Sequence, residues 1–175
     1  MTKNRQKRLE IAYEVAKKYI TEHNLEQELN EPTFSTEDFE QEVATEAFLK
    51  GMNFDPKRGS FEDYCYLIAM GIHRMAKAGE VLRNNYPLEQ IEQTNVVNLE
   101  KVWPYNMFIE ADQQMPETHK LSYYTLKSVI GYDYGELESL NRVSDHPVKV
   151  DNVVKRDVTN IINYIALRNE QEKRK

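Results

Sequence analysis

Apolar residues return every three or four positions along most of this chain, and little interrupts them, with only six glycines and six prolines in 175 residues. That spacing is the signature of helices with one buried face, so the sequence predicts an all-α protein. Ile11, Val15, Ala16 and Ile20 mark a first helix that starts near Arg5, and His23 to Pro32 reads as a loop. Phe39, Val43, Ala47 and Phe48 line a second helix. Ser35 or Thr36 can cap it, Glu37 and Asp38 suit its positive end, and Gly51 is a plausible stop. Phe54 to Gly59 is a turn. Phe61, Tyr64, Cys65, Ile68, Ile72, Met75 and Ala76 trace the longest helix, capped by Ser60 and extending towards Val81 or Leu82. Gly71 and Gly79 weaken it by about 1 kcal/mol each relative to alanine.

From Asn84 to Pro116 the pattern changes. Asn, Gln and Glu dominate, Pro87, Pro104 and Pro116 punctuate, and no period is sustained, which predicts a linker. Inside it, Val102 to Ile109 form a dense apolar cluster that is expected to dock on the chain's own core. Helical signals resume at Thr118. Leu121, Tyr124, Leu126, Val129 and Ile130 suggest one helix, Gly135 to Leu140 a short second one, and Val148 to Leu167 a third. Two short helices, a polar turn and a longer helix follow helix-turn-helix order.

Composition narrows the function classes. Hydrophobic residues make up 40% of the chain and charged residues 30%, enough for small folded modules but thin for one large core. The lone Cys65 excludes an internal disulfide and a thiolate metal cage, and fits a reducing cytosol. No apolar run approaches the roughly 20 residues of a spanning helix. The basic N-terminus leads into charged and polar residues rather than a signal-peptide core. A cytoplasmic protein without a membrane partner is expected. The net charge of −6 argues against a nonspecific nucleic-acid binder. Its distribution is uneven. Glu26 to Glu46 holds acids and no Lys or Arg, whereas Lys57–Arg83 and Lys149–Lys175 lean basic. Such a split suits a basic protein partner on one face and phosphates on others, and it also suits ordinary solvated helix faces.

No Gly-rich phosphate loop, His-Glu-x-x-His or Gly-x-Ser-x-Gly motif is present, and the four histidines are far apart in sequence. The carboxylates of the second helix lack the Glu-x-x-His partners that a helical metal site needs. Catalysis is therefore not expected. A metal-dependent helical enzyme is the weakest alternative.

Three pieces between Thr36 and Arg83 carry a resemblance. Glu37-Asp38-Phe39-Glu40-Gln41-Glu42-Val43 is similar to the acidic helix of the second domain of bacterial sigma factors. Phe54-Asp55-Pro56-Lys57-Arg58-Gly59-Ser60-Phe61 resembles that domain's Phe-Asp-Pro-x-Arg-Gly-x-Phe turn. Phe61, Tyr64 and Tyr66 then open a helix that ends in basic residues. Ile11 to Tyr19 looks like the helix that opens the domain. Near the C-terminus, Tyr134-Gly135-Glu136-Leu137, Leu140-Asn141-Arg142 and Lys149 to Arg156 resemble a sigma factor's promoter-binding helix-turn-helix, closest to the sigma H type. Two departures stand out: Val143 to Val148 lengthens that turn by about three residues, and Leu67 and Ile68 stand where many housekeeping members have paired tryptophans.

The resemblance implies a division into a second-domain-like helical bundle over 1–86, a linker over 87–117 and a helix-turn-helix module, similar to the fourth sigma domain, over 118–175. It implies a transcription initiation factor that is not itself an enzyme, needs neither metal nor cofactor, and has core RNA polymerase and promoter DNA as partners. Asp38, Phe39, Gln41 and Glu42 would meet polymerase, with the charges outward and Phe39 or Val43 packed behind them. Tyr64, Tyr66, His73, Arg74, Lys77 and Arg83 would meet melted or downstream promoter DNA. Phe61 and Tyr64 are expected to serve the core first, leaving Tyr66 the better candidate for a base, since aromatic faces hold unstacked bases at about 1–3 kcal/mol each. Lys149, Asn152, Lys155 and Arg156 would read or hold the upstream element. The alternative is a sigma-like regulator that grips polymerase or an anti-sigma protein without recognising a promoter.

Overall fold

The computed structural model describes residues 2–28, 34–76, 103–144 and 147–175. Helix α1 spans Lys3–Glu22 and buries Ala12, Val15, Ala16, Tyr19 and Ile20, the stripe expected from the sequence extended by Tyr19. The next stretch is not all loop. Asn24, at φ 52°, reverses the chain into a single helical turn, α2 (Leu25–Glu28), whose Leu25 is fully buried.

Helix α3, Thr36–Lys50, begins at a reciprocal cap between Ser35 and Asp38 and gives way at Gly51 to a short 3₁₀ turn, Gly51–Asn53. Helix α4, Phe61–Ala76, is the centre of the molecule. Tyr64, Cys65 and Leu67 to Ile72 are all buried, so its middle is covered on every side. A helix that is apolar all round belongs inside. Its expected continuation past Gly79 lies outside the described residues.

Residues 103–117, expected to be linker, are built into the fold. Helix α5, Tyr105–Gln114, lies there, and its Tyr105, Phe108 and Ala111 are fully buried. The apolar cluster does dock on the chain's own core, with Trp103 packed against Phe108. The rest of the expected linker, 87–102, lies outside the described residues. Helices α6 (Tyr123–Ile130), α7 (Tyr134–Arg142) and α8 (Val150–Lys173) complete the order. Ser122 caps α6, and Gly131 ends it at φ 115°, where an added Cβ would fall 2.5 Å from the Asn53 side chain.

The expected boundary between two modules falls inside one apolar core. Leu121, Leu126, Val129, Ile130 and Ile161 belong to the same cluster as Phe39, Phe61 and Ile68. α6 is too apolar to stand with one face in water, since every residue from Leu121 to Lys127 is buried. It lies against α4 at Gly71, where a Cβ would sit 3.7 Å from that of Leu126. A smaller cluster of Tyr123, Tyr124, Leu137 and Val150 joins α6, α7 and α8. No described helix is long and apolar enough to cross a membrane.

Candidate functional site

α3 has two unlike faces. Phe39, Val43, Ala44, Glu46 and Ala47 point inwards, while Asp38, Gln41, Glu42, Thr45, Phe48 and Leu49 are exposed at the i, i+3, i+4 spacing of one stripe. Of the residues expected to meet polymerase, Asp38, Gln41 and Glu42 therefore share a free surface. Phe39 does not: it is fully buried, with its ring stacked 5.8 Å from that of Tyr19, and can support a docking surface only from behind.

The outward carboxylates differ in what holds them. Asp38 accepts hydrogen bonds from the Ser35 N–H and Oγ, both at 2.9 Å, and donates its own N–H to Ser35 Oγ at 3.2 Å. Those bonds keep its carboxyl below the usual range. Glu42 is shifted upwards, first by partial loss of water, with Lys127 opposing and Glu46 and Asp38 reinforcing the shift. Glu46, counted with the acidic run in the sequence, is buried and ion-paired with the buried Lys127 of α6. The Tyr132 ring packs over this pair, with Lys127 Nζ 5.0 Å and Lys50 Nζ 4.2 Å from its centroid, and Lys50 bonds Glu136 at 2.5 Å. This polar seam ties α3 to α6 and α7.

The Phe54–Ser60 turn is a socket for α5. Asp55 N–H donates to the Tyr105 hydroxyl at 2.9 Å, and Tyr105 N–H donates to the Arg58 carbonyl at 2.9 Å. Arg58 Nε donates to the Trp103 carbonyl at 2.8 Å while its guanidinium covers the Tyr105 ring at 4.7 Å. Gly59 adopts φ 145° beside that ring, a conformation L side chains rarely take.

Two of the residues expected to face DNA, Tyr64 and Arg74, are committed inside the fold. Tyr64 is fully buried and donates its hydroxyl proton to the Ile130 carbonyl at 2.5 Å, with the Lys50 carbonyl 2.7 Å away. It is a core residue and leaves the DNA set. Arg74 is also spent internally, bonding the buried Asp112 of α5 at 2.6 Å and the Leu121 carbonyl at 2.7 Å. Burial works to lower its pKa, and the Asp112 carboxylate more than offsets that. Lys120 approaches the same carboxylate at 4.0 Å. His73 places Nδ1 2.8 Å from the Tyr19 hydroxyl and Nε2 3.2 Å from Glu28 Oε2. Tyr66 is half-buried, edge-on to Tyr19 at 5.2 Å, with its hydroxyl donating to Glu22 at 3.3 Å. Burial pushes that phenol up to about 12. Tyr66, His73 and Arg74 do line a common cleft of about 190 Å³ with His23 and Gln113, but the groups in it bond one another. Lys77 and Arg83 lie outside the described residues.

At the other end, Asn141 pins the polar turn. Its Nδ2 donates to the Val148 carbonyl at 2.7 Å, and its Oδ1 accepts from Val148 N–H at 2.9 Å and from the Tyr124 hydroxyl at 3.1 Å. α8 is anchored by the buried Asp157, which accepts from Ser122 N–H at 2.8 Å and Thr125 Oγ1 at 2.5 Å. Lys149 and Asn152 are exposed at the first turn of α8, and Lys155 and Arg156 are half-buried further along.

Cys65 is fully buried, and burial pushes its thiol up to about 12, far from the thiolate a nucleophile needs. Among the described residues no group of three or more His, Cys, Asp and Glu is placed to hold a metal ion. The partners that sequence reasoning missed are Asp112, Lys127 and Glu46. Glu46 carried a signal, since it continues the Phe39–Val43 stripe; Asp112 sat in a segment without sustained period. Comparison with protein-family models, curated proteins and solved structures finds no match to the chain.

Proposed function

We propose that this chain is a sigma-type transcription initiation subunit that docks on core RNA polymerase through the outward face of α3 and meets promoter DNA through the start of α8. The observation that carries the proposal is the exposure of Asp38, Gln41 and Glu42 along one stripe, in the residue order that resembles the family's polymerase-binding helix. Carboxylates on such a rim attract a basic partner surface and set the rate of encounter. Lys149 and Asn152, exposed at the start of the longest C-terminal helix, would be the groups that reach base edges, and their exposure supports that role.

A second reading has its own support. Tyr64 and Arg74 are committed to internal bonds, so the α4 side lacks two of the groups that promoter melting would use. A subunit that holds polymerase, or an anti-sigma protein, without reading a promoter fits that loss. Run-off transcription with purified core polymerase separates the two. Promoter-selective transcripts that disappear with Lys149→Ala/Asn152→Ala support the initiation factor. A stable complex without such transcripts supports the regulator, and absence of any complex sinks both.

A further inference from the structure

The α3 stripe ends in a groove that the polymerase-docking proposal does not use. It lies between the first turns of α1 and the end of α3, and Arg5, Arg8, Leu9, Phe48, Leu49 and Met52 line it around about 270 Å³. That volume is slightly under the roughly 300 Å³ at which small-molecule sites begin and suits the side chains of a peptide. Its apolar wall is open to water: Phe48 is 50% exposed, Leu49 65% and Met52 94%. Three large apolar side chains meeting on a surface mark an interaction site rather than scattered exposure.

The charge around the groove selects the occupant. Lys3, Arg5, Lys7 and Arg8 fall within the first two turns of α1, and the first turn holds no acid. Cations there oppose the positive end of the helix dipole, so folding alone disfavours them. Among the described residues no carboxylate pairs with any of the four. Arg8 serves as a floor, bonded to the Gly51 carbonyl at 3.3 Å and lying over the Phe61 ring at 5.0 Å. Arg5 is exposed, its guanidinium 5.9 Å from the Phe48 ring centroid. With that face covered by Arg5, the ring is poorly placed to stack on a base. Further along the stripe Glu42 and Asp38, the latter about 15 Å along the axis from Phe48, repel a polyanion that runs the length of α3, whereas a short segment with its carboxylates beside Arg5 keeps them at the α1 end.

We infer that this groove docks a short segment of a partner protein that inserts a large apolar side chain against Leu9, Leu49 and Met52 and sets flanking carboxylates against Arg5. The site is separate from the α3 carboxylates and does not depend on the polymerase proposal.

The test uses the full chain and a displayed library of random twelve-residue peptides. Enriched peptides are expected to carry a large apolar residue beside at least two Asp or Glu. They should bind Arg5→Glu and Met52→Glu at least tenfold more weakly and Arg5→Gln severalfold more weakly. An unchanged unfolding midpoint in Arg5→Gln confirms that lost binding is not lost folding. No enrichment, enriched peptides without carboxylates, or peptides indifferent to Arg5 and Met52 would overturn the assignment. So would tighter Arg5-dependent binding of a single-stranded 30-mer oligonucleotide or of anionic phosphatidylserine vesicles.

Discussion

α3 and α4 are neighbours of similar length, and each carries charges that the sequence marks for a partner, yet they spend them differently. On α3 the carboxylates of Asp38 and Glu42 and the amide of Gln41 face water, and the buried Glu46 is neutralised by Lys127. The basic end of α4 turns inwards: Arg74 is bonded to Asp112 and the Leu121 carbonyl, and His73 to Tyr19 and Glu28. The difference lies in position. α3 flanks the core and keeps a free face, whereas α4 is wrapped by α1, α3, α5 and α6, so a cation on it must find a carboxylate or stay solvated. A charge run in sequence is thus a surface only where no neighbouring helix covers it.

The comparison can be broken most easily at its buried pairs. Lys127→Met leaves the Glu46 carboxylate buried without its partner and should cost about 3–5 kcal/mol in urea unfolding, with most of it recovered in Lys127→Met/Glu46→Gln. A cost below about 1 kcal/mol would mean that Glu46 is solvated and that α3 has no structural acid. Arg74→Leu should cost about 3 kcal/mol by stranding Asp112, and the Arg74→Leu/Asp112→Asn double variant should show coupling of about 1–3 kcal/mol. Additive losses would return Arg74 to the surface set. Gly71→Ala sharpens the account of α4 in the opposite direction. The added methyl meets Leu126 at 3.7 Å and Lys127 at 4.0 Å, ordinary contact distances, so stability should rise by about 0.5–1 kcal/mol. A loss would show that α6 presses closer than that. The smallest effect is at the α3 cap. Asp38 has a folded pKa below its unfolded value of 3.8, so its contribution is complete above that pH and fades as pH falls through the folded value. Acid unfolding of Asp38→Asn should accordingly be shallower below pH 4 than that of the parent chain, and identical profiles would remove the cap from the account.

Most helices were legible because their buried residues keep a helical period over two or more turns. α1, α3, α4, α6 and α8 do, and Ser35 was one of the two residues offered as the cap of α3, while α7 buries only Leu137 and Asn141, one turn apart. α5, a helix of ten residues between Pro104 and Pro116, was lost because so short a stretch leaves little room for a period, although Tyr105, Phe108 and Ala111 are spaced at i, i+3 and i+6. That omission carried a second one. Asp112 lies on α5, so Arg74's partner was invisible and the cation read as free. The Phe54–Ser60 turn shows the same limit. Its residues were read as a motif, while their bonds to Tyr105 and Trp103 depend on a helix some 45 residues away. The merging of two expected modules into one core rests on α6, whose Thr125 and Lys127 look polar in sequence but are buried with partners at Asp157 and Glu46.

The claim on which the functional account rests is that the outward face of α3 is a docking surface and not merely a solvated one. The direct measurement is the affinity of the labelled chain for core RNA polymerase, parent against Gln41→Ala/Glu42→Lys, with thermal unfolding followed in parallel. The account predicts at least tenfold weaker binding at an unchanged unfolding midpoint. Equal affinity in the two chains, or no binding by the parent, would contradict it.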